Sequence, residues 1–314
     1  MKYRDRLPQL DSDLFLTDGG LETVLVFHEG FDLPAFAAFD LLKDEAGTAA
    51  LRAYYAPYVA LASERGVGFV AESPTWRASP RWAAEIGYSP EQLDVFNRRS
   101  IALMEDVRAE YETESTPVVI SGCVGPSDDG YNPAELRSAD LAEAYHSTQI
   151  ETFAGTAADM VTAITMTYAE EAIGITRASQ RAGLPVVISF TLETDGRLPS
   201  GESLRDAIEQ VDDETGAGPA YYMINCSHPT HFDGVLDTGE PWLERIRGLR
   251  ANASTRSHAE LDEATELDDG DPTDLGERYA ALASKLPRLS VLGGCCGTDH
   301  RHVSAIAGAW PVRA

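Results

Sequence analysis

Short runs of β-branched and aliphatic residues alternate with longer helical stretches along nearly the whole chain. The apolar runs fall at residues 14–17, 67–71, 117–121, 159–164, 185–190, 220–225 and 289–292, with a weaker one at 248–252. Between them lie segments such as 94–111, 139–153 and 168–182. In the first of these Val95, Ile101, Ala102, Met104 and Val107 recur at roughly helical spacing. Gly183-Leu184-Pro185 stops one helix and opens the next strand. Near-continuous apolar strands covered by helices predict a parallel sheet. Eight such units predict an α/β chain folded as one (β/α)₈ TIM barrel over residues 1–314, without a GxGxxG or phosphate-loop motif.

Such barrels place their chemistry on the loops that follow the strands. The notable polar residues stand there: Asp18-Gly19-Gly20, Glu72-Ser73-Pro74-Thr75-Trp76, Gly125-Pro126-Ser127, Glu193-Thr194-Asp195 and Asn225-Cys226. The last is Gly293-Gly294-Cys295-Cys296-Gly297-Thr298. A lone free cysteine is most often a small buried hydrophobe. A doublet between glycine pairs is not core composition, and adjacent cysteines rarely bond to each other because disulfide geometry is narrow. The flanking glycines leave the backbone free to aim both sulfurs at one ion. Three thiolates from two strand ends make a tetrahedral zinc site with one position open, the mark of catalytic rather than structural zinc.

Composition narrows the partners. Fifty-one acidic residues against 25 basic ones give a net charge of −26, which argues against nucleic acid and anionic membrane. All but Lys2, Lys43 and Lys285 of the basic residues are arginine. Two explanations stand for this surface: codon composition, or adaptation to high salt that screens self-repulsion. No apolar run approaches the ~18 residues of a membrane span. The N-terminus leads into no signal segment, and four cysteines in 314 residues are not a disulfide scaffold. The expected location is the cytoplasm. Residues 112–116 and the acidic stretch 258–274 read as insertions, the second as a solvated loop.

At the motifs quoted above the chain resembles the homocysteine S-methyltransferase family, over nearly its whole length. Asp18-Gly19-Gly20-Leu21-Glu22-Thr23 is similar to the family's opening motif, and Thr75-Trp76-Arg77-Ala78-Ser79 to its threonine-aromatic segment. Gly125-Pro126 matches a glycine-proline step. Asn225-Cys226 and the Cys295-Cys296 motif resemble its two zinc-ligand motifs. The resemblance implies a (β/α)₈ barrel holding Zn²⁺ on Cys226, Cys295 and Cys296. It implies transfer of a methyl group from a small sulfonium or ammonium donor to a zinc-bound thiol, homocysteine by default, giving methionine. Asp18 would hold the substrate's α-ammonium, with Gly19, Glu72, Thr75, Glu193 and Asn225 as further substrate contacts.

The match breaks at one point. The family places a glutamate at the end of the fourth strand, where this chain has Ile164-Thr165. Glu72 and Glu193 are the candidates to compensate. The alternatives are a different small thiol or selenol as acceptor, or a non-catalytic zinc- or thiol-binding barrel. His228 reads as a loop residue, Cys123 as packing, and Trp76 and Tyr131 as pocket lining or packing. The partners expected are a small-molecule thiol and a methyl donor, with no cobalamin or folate module after the barrel.

Overall fold

The computed structural model describes residues 1–11 and 14–311. Its eight strands are β1 (Phe15–Leu16), β2 (Gly68–Glu72), β3 (Val118–Val124), β4 (Met160–Met166), β5 (Val186–Thr191), β6 (Tyr221–Asn225), β7 (Ile246–Ala251) and β8 (Val291–Gly294). They are parallel and close into a barrel, with β1 paired to both β2 and β8. The seventh strand, weakest in the sequence pattern, pairs through Gly248↔Val291 and Ala251↔Gly294.

The barrel is wrapped by α1 (Glu45–Arg65), α2 (Pro90–Tyr111), α3 (Ala139–Ala154), α4 (Ala169–Ala182), α5 (Leu204–Thr215), α6 (Pro272–Leu282) and α7 (His300–Ala309). Local signals set their ends. Ser89 and Gln92 form a capping box ahead of α2, with Pro90 at its first turn. Gly183 ends α4 in the left-handed conformation at φ 69°. Between β6 and β7 the covering helix is replaced by short turns over Pro229–Phe232, Asp233–Leu236 and Pro241–Arg245.

Alternation along the strands sorts the barrel interior into layers. At the N-terminal end Phe15, Val70, Val119, Met160, Val187, Tyr221, Met223 and Val291 form one apolar cluster. Leu7, with Tyr3 and Leu10 beside it, packs against that cluster and closes this end. The closing segment is pinned by the backbone N–H groups of Lys2 and Tyr3, both donating to Asp159 at 2.9 Å. Tyr3 and Lys2 also reach Glu112 at 2.6 Å, so Glu112 serves as an anchor for the N-terminal segment.

Two residues further up, on β2 to β7, the same parity reaches polar groups. Val70 is followed by Glu72, Val119 by Ser121, Met160 by Thr162, Val187 by Ser189, Met223 by Asn225 and Gly248 by Arg250. These polar groups bond to one another inside the barrel: Ser121 to Thr162 at 2.8 Å, and Ser189 to Asn225 at 2.6 Å. An apolar floor under a polar upper layer confines the chemistry to the C-terminal mouth.

Candidate metal and substrate site

A cavity of ≈ 400 Å³ opens at that mouth. Cys226 follows β6, and Cys295 and Cys296 follow β8. By strand parity Cys226 would turn away from the interior. Its backbone is left-handed instead, at φ 53°, which redirects the side chain into the cavity. Such a conformation costs a non-glycine residue about 1–2 kcal/mol and is characteristic of functional positions. Thr165, at the end of β4, is also left-handed (φ 67°), and its hydroxyl lies 3.8 Å from the Cys226 sulfur. The side chain of Asn225 holds this pair in place. Its Oδ1 accepts from the Thr165 N–H at 3.0 Å, and its Nδ2 donates to the Thr165 hydroxyl at 2.9 Å.

The sulfurs of Cys226, Cys295 and Cys296 all lie within 4.8 Å of one another. Among the described residues this is the group of potential metal ligands that converges. Cys226 and Cys295 are joined as a disulfide with Cα atoms 5.4 Å apart, while Cys296 is free. The Tyr131 hydroxyl lies 3.6 Å from the Cys296 sulfur. Three convergent sulfurs at strand ends fit a thiolate-bound zinc once the disulfide is reduced to two thiols.

The first loop packs directly on the cysteine motif. A Cβ on Gly20 would stand 2.5 Å from the Cys295 carbonyl oxygen, which requires glycine there. The Gly20 N–H donates to the Thr298 carbonyl at 2.9 Å, and the Gly297 N–H donates to the Thr23 hydroxyl at 3.2 Å.

Arg250 is the electrostatic centre of the wall beneath. It is 6% exposed. Its Nε donates to the Gly294 carbonyl at 3.0 Å, and its Nη2 donates to the Gly19 carbonyl at 3.0 Å and pairs with Asp18 at 2.8 Å. Burial disfavours its charge, but Asp18 and Glu72 outweigh burial and hold its pKa above the ordinary value. Asp18 also accepts from the Tyr54 hydroxyl at 3.0 Å, and Tyr55 donates to the Glu72 carbonyl at 2.8 Å, so α1 braces both strand ends. Burial lifts the Glu72 carboxyl to about 7, with Arg250 opposing.

Of the residues expected at the site, Asp18, Gly19, Glu72, Thr75 and the three cysteines line the cavity. Ile164, Cys123, Trp76 and Tyr131 also line it. Two expected substrate contacts do not. Asn225 is fully buried and spends its amide on Thr165 and Ser189. Glu193 faces His258 Nδ1 at 3.1 Å, outside the lining, because the loop after β5 leans onto the segment after β7 rather than over the mouth. His228 caps the turn at Pro229 and lies outside the lining.

The acidic stretch is not the solvated loop its composition predicts. His258 opens a short helix, His258–Asp262, and its Nε2 donates to the Cys226 carbonyl at 2.5 Å. Leu261, Ala264 and Leu267 turn into the cavity, while Asp268 accepts from Ser254 at 2.7 Å. The stretch is a cover over the site. Glu22, Arg77, Arg250 and His258 are further site residues that were not singled out as functional. The inward parity of Arg250 two residues after Gly248 was a usable signal. For Glu22 the signal was a carboxylate directly after the Gly19-Gly20 turn.

Fold and site together define a (β/α)₈ barrel with a three-cysteine centre at the C-terminal mouth. The family model for homocysteine S-methyltransferase matches residues 15–310, and the chain belongs to that family of methyltransferases. The solved structures similar to it include the Escherichia coli homocysteine methyltransferase MmuM in its oxidized form. That match has 19% identity and a TM-score of 0.74, and it covers 95% of this chain and 96% of that one. The metallated form of the same protein matches at 19% identity and a TM-score of 0.69, with the same coverage. No curated protein matches the chain.

Proposed function

We propose that this protein is a zinc-dependent S-methyltransferase. It moves a methyl group from a small sulfonium or ammonium donor to the thiol of a small acceptor, homocysteine by default, giving methionine. The observation that carries this reading is the convergence of the Cys226, Cys295 and Cys296 sulfurs within 4.8 Å at the cavity. Zinc bound there supplies a Lewis acid that favours the thiolate form of an incoming thiol.

The protein's own groups do the rest. The acceptor's thiolate forms a bond to the methyl carbon as the carbon–onium bond breaks, and the donor leaves as a neutral thioether or amine. The thiol proton passes to solvent. Trp76 and Tyr131 line the cavity, but the Arg77 guanidinium lies 4.7 Å from the Trp76 ring centroid and the His258 ring 4.4 Å from that of Tyr131, so an onium group would have only their remaining faces, an attraction of about 0.5–2 kcal/mol when desolvated. Leu261 and Leu267 of the cover help to exclude water. Fixing both reactants in one cavity removes much of the entropic barrier of a two-substrate reaction.

A second reading keeps this chemistry and changes the acceptor to another thiol or selenol. Ile164, apolar and facing the cavity where the family pattern has a glutamate, favours it.

The test is metal content and turnover in reduced protein. About one zinc per chain is expected, and Cys226→Ser, Cys295→Ser and Cys296→Ser should each lower zinc retention and abolish methyl transfer. Cys123→Ser should keep its zinc. Equal zinc content in all four variants would overturn the assignment.

A further inference from the structure

Arg77 is a guanidinium that the fold buries without giving it a hydrogen bond. It follows Trp76 in the loop after β2 and lines the cavity. Its side chain is 12% exposed, its Nε is buried, and among the described residues no atom accepts a hydrogen bond from it. The carboxylate that comes closest, Asp129, stands 3.9 Å from Nη2, beyond hydrogen-bond reach. The other arginine of the lining is held differently. Arg250 donates to two carbonyls and pairs with Asp18, which leaves only its Nη1 without a partner. Arginine carries five N–H donors, and burying donors unpaired costs stability.

Packing holds the Arg77 side chain where hydrogen bonds do not. The guanidinium lies 3.5 Å from the centroid of the Trp82 ring and 4.7 Å from that of Trp76. Such stacking covers the flat faces of the group and leaves its N–H edge to a ligand. The backbone that carries it is fixed as well. The Thr75 hydroxyl donates to the Cys123 carbonyl at 2.7 Å, Trp76 Nε1 donates to the Ile164 carbonyl at 3.3 Å, and the Ala78 N–H donates to the Thr75 carbonyl at 2.9 Å. A planar fork set rigidly in a cavity wall suits a carboxylate, which it takes with two parallel hydrogen bonds. We propose that Arg77 receives a carboxylate on the methyl donor and so selects onium compounds that carry one, a reading that rests on the methyl-transfer function above.

The surroundings favour that match. Asp18, Glu22, Glu72, Asp129, Glu266 and Asp268 line the same cavity. They attract the onium end of a donor and repel a carboxylate, so a carboxylate needs a cation to receive it. Burial pushes the Arg77 pKa below the ordinary value, and Asp129, first among the groups that oppose burial, does not offset it. The guanidinium stays charged all the same, and a bound carboxylate supplies the missing counter-charge. The reaction decides which substrate this charge serves. An acceptor thiolate loses negative charge as the methyl group moves, so a cation beside it would stabilise the reactant more than the transition state. A donor's onium loses positive charge, so a cation on its side is repelled less as transfer proceeds and favours the transition state.

The experiment titrates two donor pairs calorimetrically into reduced, zinc-loaded protein without acceptor. One pair is S-methyl-L-methionine and its carboxylate-free analogue (3-aminopropyl)dimethylsulfonium; the other is glycine betaine and tetramethylammonium. The native protein should bind the carboxylate-bearing member of at least one pair more tightly. Arg77→Met should weaken that member roughly ten- to hundredfold. It should leave the carboxylate-free member unchanged or tighter, since a repelling cation is gone, an opposite response that a merely structural role would not give. Arg77→Lys, which keeps the charge and the stem over Trp82 but loses the fork, should retain part of the preference. L-homocysteine should bind Arg77→Met within about threefold of the native affinity. Equal losses for both members of each pair, an undiminished preference in Arg77→Met, or a loss confined to homocysteine would overturn the proposal. If neither variant folds, the native protein decides: a preference for the carboxylate-bearing member supports the proposal and its absence in both pairs overturns it. Methyl transfer to homocysteine measured in parallel separates the two readings. A preference that depends on Arg77 without any transfer sinks the catalytic function and leaves Arg77 assigned, while transfer without such a preference does the reverse.

Discussion

Arg250→Met removes the one positive charge beside Asp18 and leaves a carboxylate that is 3% exposed with the Tyr54 hydroxyl and its own backbone N–H as partners. It also removes the donors to the Gly19 and Gly294 carbonyls. Breaking a buried ion pair from one side costs about 3–5 kcal/mol. Two carbonyls losing a donor add about 1 kcal/mol each. Methionine returns part of this by filling the volume of the guanidinium stem, so the expected loss is about 4–6 kcal/mol. Against a total stability of about 5–15 kcal/mol this brings the variant close to unfolding.

Equilibrium denaturation in guanidinium chloride of the native protein, Arg250→Met, Asp18→Asn and the double variant measures the pair directly. The double variant should be more stable than Arg250→Met, with a coupling of about 2 kcal/mol or more. Because Gly294 precedes Cys295, Arg250→Met should also retain zinc less well than Asp18→Asn. A loss under about 1 kcal/mol for Arg250→Met, or a coupling under about 0.5 kcal/mol, would show that the pair is solvated and that the reasoning from burial fails.

Glu72 makes stability fall with rising pH in metal-free protein. Its folded pKa of about 7 lies above the unfolded value of 4.5, so between these the native state holds the proton that the unfolded state releases. The loss approaches about 3 kcal/mol above pH 7 and is absent below pH ~4.5. Glu22, also lifted to about 7, adds a slope of its own over the same range, so Glu72→Gln should roughly halve the dependence, and an unchanged slope would refute the assignment. With a net charge of −26, thermal midpoints should rise from dilute buffer to molar KCl as screening relieves repulsion; a flat or falling midpoint would favour codon composition as the origin of the acidic surface.

The barrel was legible in the sequence because parallel strands buried on both faces must be apolar nearly throughout. Even β1, two residues long at Phe15–Leu16, was visible through its neighbours. The cysteine triad was legible because no packing reason places Cys295-Cys296 between glycines. What escaped were residues whose meaning depends on closure of the barrel. Arg250 in a weak strand reads as a surface arginine until the ring brings β7 beside β8 and Asp18 across from it. The stretch 258–274 reads as solvated because acids outnumber its apolar residues, yet Leu261, Ala264 and Leu267 recur every three residues and turn into the cavity. That period was the available signal, outweighed by composition.

The limits of reading by position show most clearly among the carboxylates around the cavity. Ile164 suggested that a carboxylate was lost, and Glu193 was a reasonable replacement on strand adjacency alone. Adjacency along the sheet does not decide where a loop carboxylate comes to rest. Glu193 is drawn to His258 and Asp18 to Arg250. Which carboxylate is left free is set by pairing in three dimensions, and in the cavity lining the buried Oε2 of Glu72 is left without a partner. A charge that a fold leaves unpaired in a half-buried cavity costs stability, and a ligand of opposite charge is what offsets that cost.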